Sequence, residues 1–146
     1  MLKILRFSVG LSVIISLISI GSLALAREGN WLEVTQPQSS NRIFIDVNSI
    51  KREPVTGDVK YKIRNVYSKP TSTGVARSRS TYLAYCNSNM QRLSELTTYN
   101  RSNRILESIT YGAQTRRGDF RNLEAPLEQV TSGSVSYAAF KYACSR

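Results

Sequence analysis

Cys86 and Cys144 are the only cysteines of this chain, and it contains no histidine. A cysteine pair can close a disulfide, act as a reactive thiol couple or ligate a metal. Thiol reactivity needs a neighbouring histidine, a CxxC spacing or a helix N-terminus to lower the pKa, and none of these accompanies either residue. A zinc site would have to find its four ligands among two cysteines and scattered carboxylates. The missing imidazole also removes the commonest general base, and with it Ser-His-Asp and Cys-His catalysis. Glu95 and Glu107 could form a carboxylate pair across a hairpin, as hydrolases of glycosidic bonds require, but they read more simply as exposed cross-strand partners of arginines. No glycine-rich phosphate loop is present. The sequence therefore points to a protein that is not an enzyme and that uses neither cofactor nor metal.

The compartment decides how the cysteines behave. Lys3 and Arg6 precede an apolar run from Phe7 to Leu23, and Ala24-Leu25-Ala26 follows with the small-x-small pattern of a cleavage site. Residues 1–26 thus read as an export signal, with residues 27–146 as one domain. A retained signal anchor is the competing reading, since the apolar run approaches the length that spans a bilayer. The polar Arg27-Glu28-Gly29-Asn30 after the site favours cleavage, and no second hydrophobic span follows, so the mature chain is not expected to be integral to the membrane. No cysteine stands at the cleavage point, so no lipid-modified N-terminus is expected. The destination is the periplasm, the cell surface or the medium. There an isolated cysteine pair is expected to be oxidised, and a Cys86–Cys144 bond would close a long loop and pin the chain's end to its middle.

Without residues 1–26, the 146-residue chain leaves 120 residues carrying 18 Lys and Arg against 10 Asp and Glu, a net charge of +8. Such an excess outside the cytoplasm suits acidic polysaccharide, matrix protein or envelope protein. Nucleic acid is not expected, because an exported protein rarely meets it. The competing reading is that the charge serves solubility.

The elements that would position these groups are short and punctuated by turn residues, the pattern of an antiparallel β domain. Trp31–Val34 reads as a first strand. Ile43–Ile45 reads as a second, and Asp46 is placed to cap a short helical turn after it. Val59–Tyr67 alternates: Val59, Tyr61 and Ile63 share one face, and Lys60, Lys62 and Arg64 the other. Arg77–Asn87 alternates likewise, with Arg77 and Arg79 on one side. The basic row Lys60, Lys62, Arg64 could then extend across to Arg77 and Arg79 as an anion-binding stripe. Gln91–Tyr99 and Arg104–Tyr111 form a last hairpin through Asn100-Arg101-Ser102-Asn103, a turn tolerant of positive φ. Residues 112–133 read as a charged loop. Ser134 is expected to cap a helix in which Val135, Ala138, Ala139 and Tyr142 share a face and which ends at Cys144. The expected fold is α+β: one antiparallel sheet of about six strands and a C-terminal helix tied to it by the disulfide. The eight tyrosines fall mostly at inward strand positions, which suits core packing.

Two further motifs are short. Arg117-Gly118-Asp119 matches the tripeptide that matrix proteins use to engage integrins, but three residues are a weak signal and it reads more simply as a loop turn at Gly118 with solvated charges. Asn100-Arg101-Ser102 matches the N-glycosylation acceptor, which matters only in a eukaryotic secretory pathway.

The order of these segments resembles the surface-adhesin E-like domain family of bacteria. The resemblance rests on Trp31, on Phe44–Ile50 ("FIDVNSI"), on Tyr82–Cys86 ("YLAYC"), on the hairpin carrying Tyr99 and on Ser134–Cys144 ("SVSYAAFKYAC"). It spans Trp31 to Cys144. It implies a compact antiparallel sheet whose C-terminal helix is held by Cys86–Cys144. It also implies action at the bacterial surface on host matrix proteins such as vitronectin and laminin, and a capacity to form a homodimer. The chain departs from the anchored members in lacking a lipobox.

Overall fold

Strict alternation of apolar and basic residues carries the centre of the sheet. The computed structural model describes residues 29–35, 40–112, 125–134 and 136–146. Its strands are β1 (Trp31–Glu33), β2 (Arg42–Arg52), β3 (Val59–Val66), β4 (Arg77–Tyr85), β5 (Met90–Tyr99), β6 (Ile105–Thr110) and β7 (Leu127–Gln129), followed by helix α1 (Tyr137–Cys144). The first six lie in sequence order, each antiparallel to the next, and β7 pairs with β5 beside Met90–Arg92. The expected antiparallel α+β architecture is therefore present, with a seventh short strand inside the segment read as loop. The export signal and Arg117-Gly118-Asp119 lie outside the described residues. No helix among the described residues is long and apolar enough to cross a membrane.

On the inner face Ile43, Ile45, Val59, Tyr61, Ile63 and Ala84 form the core with Val130 and the helix residues Ala139, Phe140 and Ala143. Fully burying an aliphatic or aromatic side chain of this size contributes about 1.5–3 kcal/mol. An eight-residue helix is too short to persist alone, so packing must hold it. Phe140, 1% exposed, is its anchor. A buried chain of hydrogen bonds adds direction: the Tyr61 hydroxyl donates to Gln91 Oε1 at 2.7 Å, and Gln91 Nε2 donates to Ser136 Oγ at 3.0 Å. The Cys86–Cys144 disulfide, with Cα atoms 5.6 Å apart, fastens the far end of the helix. Arg52 donates to the Cys144 carbonyl at 3.0 Å, a cation at a helix C-terminus where the dipole favours it.

Three local expectations are corrected. Asp46–Ile50 is not helical, because β2 runs through it with a bulge between Asp46 and Lys51. Asp46 Oδ1 accepts from the Asn48 amide at 3.1 Å, an Asx-type bend inside a strand rather than a helix cap. The Ser49 hydroxyl donates to the Asp46 carbonyl at 2.7 Å and accepts from the Lys62 amide at 2.8 Å, so one side chain replaces the ladder partner that the bulge removes. The helix starts at Tyr137 rather than after Ser134, and Ser136 occupies its N-cap position without a capping bond because its hydroxyl accepts from Gln91. Its fully buried residues are Ala139, Phe140 and Ala143; of the expected face Ala139 is buried and Tyr142 packs half-buried against the core, Ala138 is half-buried, and Val135 lies outside the described residues. The bulk of Phe140 and the tether at Cys144 set which side is buried. The β5–β6 turn follows the expectation: Asn103 has φ 63°, and Asn100 Oδ1 accepts from the Ser102 and Arg104 amides at 3.0 and 2.9 Å.

Candidate functional site

Helix α1 packs on the inner face of the sheet, over β2 and β3. Alternate residues of the same strands point to the outer face. In the β3–β4 register Lys60 faces Leu83, Lys62 faces Thr81, Arg64 faces Arg79 and Val66 faces Arg77. Lys60, Lys62, Arg64, Arg77 and Arg79 therefore share one face. Lys51, opposite Lys60 on β2, extends the basic row by one strand.

Placing two arginines directly opposite each other costs energy. Aromatic rings from neighbouring strands hold them there. The Arg64 guanidinium carbon lies 4.7 Å from the centre of the Phe44 ring and 4.9 Å from that of Trp31. Arg77 and Arg79 lie 5.9 and 5.8 Å from the Tyr99 ring. Each such contact is worth about 0.5–1 kcal/mol at an exposed position. Arg42 stands 5.0 Å from the Phe44 ring centre and grips Glu33 with two charge-assisted bonds, Nε to Oε1 at 3.0 Å and Nη2 to Oε2 at 2.7 Å. These bonds from Arg42 hold the Glu33 carboxyl below its ordinary pKa. Glu33, Arg42, Phe44, Arg64 and Trp31 thus form an alternating stack across β1, β2 and β3.

Several grooves open along this face, and two of them adjoin at Arg79 and Tyr99. The larger, about 560 Å³, is lined by Trp31, Asp46, Lys62, Thr81, Glu95 and Thr97, together with Arg79 and Tyr99. Gly29 also lines it, and a side chain there would run into the Asp46 carboxylate. The smaller, about 270 Å³, is lined by Arg64, Arg77, Arg79, Tyr99 and Asn103. Arg79 and Tyr99 border both. Guanidinium groups in general bind anions through forked hydrogen bonds and charge.

Glu95 and Glu107 do not face each other. Glu95 lies opposite Thr110 on the outer face and accepts from the Thr81 hydroxyl at 2.8 Å, so its partner there is a threonine rather than an arginine. Glu107 lies opposite Thr98, whose side chain is buried on the other face. Among the described residues no three His, Cys, Asp or Glu side chains group closely enough to hold a metal ion. The five basic positions were legible as rows. Trp31, Phe44 and Tyr99, the rings that seat them, were not assigned to this face; the signal was Phe44 alternating with the buried Ile43 and Ile45. Tyr61 does point inward, stacked on Tyr82 with ring centres 5.8 Å apart.

A family model described as Surface-adhesin protein E matches residues 31–145. No curated protein matches the chain. Among solved structures, Haemophilus influenzae protein E is similar at 12% identity, over 77% of this chain and 83% of that one, with a TM-score of 0.51. A second crystal form of that protein aligns at 12% identity over 70% and 80% of the two chains, with a TM-score of 0.48. At this identity the first likeness is one of fold.

Proposed function

We propose that this chain, which belongs to the surface-adhesin protein E family, is a non-enzymatic binding domain that engages anionic partners through the outer face of its sheet. Family membership carries the coarser part, an adhesin-like role for an exported or surface protein. The anionic character of the partner rests on one observation: Lys60, Lys62, Arg64, Arg77 and Arg79 share the face opposite α1. Acidic polysaccharide, matrix protein and envelope protein all meet that requirement.

Salt-gradient elution from immobilised heparin tests the reading. Exposed charges attract through screened Coulomb forces, so retention falls as ionic strength rises. The Lys60→Glu/Lys62→Glu/Arg64→Glu variant should elute at much lower salt than the unaltered protein, with circular dichroism confirming its fold. Unchanged elution overturns the reading.

A second reading, an assembly component of the envelope, draws on a different feature. Among the described residues only β5 pairs with β6, and Ile105 and Leu106 on β6 are 57% and 44% exposed. An open edge of this kind accepts another strand, including one from a second copy of the chain. Partners held there would stay bound at high salt.

A further inference from the structure

We propose that the groove between Arg64, Arg77, Arg79, Tyr99 and Asn103 seats a sulfate ester of a polysaccharide, and that the adjoining larger groove takes the sugar that carries it. This rests on the reading of the outer face as an anion-binding surface and names the ligand class. Among the described residues, three guanidinium groups and no carboxylate line the smaller groove. A carboxylate offers two oxygens, enough for one fork; a tetrahedral oxyanion offers three, and three forked donors match it better. The Tyr99 hydroxyl and the Asn103 amide supply uncharged donors at the same rim. The rings of Phe44, Trp31 and Tyr99 hold the guanidinium planes in place before any ligand arrives, which lowers the ordering cost of binding. An anion seated there also offsets the repulsion between Arg64 and Arg79, which face each other across the β3–β4 ladder.

The larger groove has a different chemistry. Asp46 and Glu95 offer acceptors, Thr81 and Thr97 offer hydroxyls, and Trp31 and Tyr99 offer rings. Sugar hydroxyls donate to these carboxylates, and the Lys62 and Arg79 cations beside them balance their charge. Arg79 and Tyr99 belong to both grooves, so one sulfated residue reaches both.

Calorimetric titration at fixed salt tests this, with a heparin oligosaccharide and an unsulfated hyaluronan oligosaccharide of equal length. The protein should bind the sulfated chain at least about tenfold more tightly, the scale of one charge-assisted hydrogen bond. Arg77→Gln/Arg79→Gln should erase that preference, whereas Lys60→Gln should weaken both glycans alike. On the unaltered protein, inorganic sulfate should shift the NMR signals of the Arg64, Arg77 and Arg79 side-chain N–H groups, and acetate should not. Equal affinity for the two glycans, or a preference that survives Arg77→Gln/Arg79→Gln, overturns the inference while leaving the anion-binding face standing. Tighter binding to phosphatidylglycerol vesicles than to heparin also overturns it. Retention on heparin that ignores both the lysine and the arginine substitutions overturns face and groove together.

Discussion

Removing the Cys86–Cys144 disulfide should weaken the fold without dismantling it. The bond joins residues 58 apart, and the loop-entropy relation for that length gives about 4 kcal/mol of stabilisation, exerted mainly on the unfolded chain. That is roughly a thousandfold in the folding equilibrium, and a large share of the 5–15 kcal/mol typical of a domain. In the folded state the helix keeps its other attachments: Phe140 in the core, Gln91 to Ser136, and Arg52 to the Cys144 carbonyl. The Cys86→Ala/Cys144→Ala variant should therefore retain its near-ultraviolet circular dichroism while its urea midpoint drops by about 2 M, for a slope of about 2 kcal/mol/M. Phe140→Ala with the bond intact should cost a comparable ~3–5 kcal/mol, but through a cavity in the folded state. A midpoint loss worth less than about 1 kcal/mol would refute the entropic reasoning. So would a folded variant whose near-ultraviolet spectrum collapses, since the helix would then depend on the bond rather than on its packing.

Alkaline pH should destabilise the protein through its inner tyrosines. Burial pushes the phenols of Tyr61 and Tyr82 upward, so the folded state holds their protons above the unfolded pKa of about 10. Stability is then complete below that pH and declines as pH rises through it. Absorbance titration should show these two ionising only together with loss of structure; reversible ionisation of all eight tyrosines in a folded protein would contradict this. At the sheet edge, Ile105→Lys/Leu106→Lys should abolish any self-association seen by sedimentation equilibrium, and an unaltered protein that is monomeric at high concentration would rule out the homodimer.

The basic rows were legible because a strand's period of two is local: Val59, Tyr61 and Ile63 alternate with Lys60, Lys62 and Arg64 without reference to anything distant. The stacking of Arg64 on Trp31 and Phe44 depends on the register of three strands, which no single segment encodes. The bulge in β2 escaped for a related reason. Asp46 and Ser49 are good helix-capping residue types, and the Lys62 amide that draws Ser49 into the sheet lies on another strand. Phe140 was missing from the expected helix face because periodicity alone does not weigh one phenylalanine against several alanines. Strand β7 has only three residues, all exposed, and its existence depends on the part of β5 that β6 leaves unpaired.

The division of each strand between a helix-covered side and an open side separates two kinds of evolutionary constraint. Val59, Tyr61 and Ile63 of β3 answer to the core, and the residues between them answer to the outer face. A substitution at the exposed Lys62 can change the charge of the outer face while Tyr61 and Ile63 keep the domain folded, since surface changes of this kind alter stability little. The charge of such a face can drift by single steps, each passing through a folded intermediate.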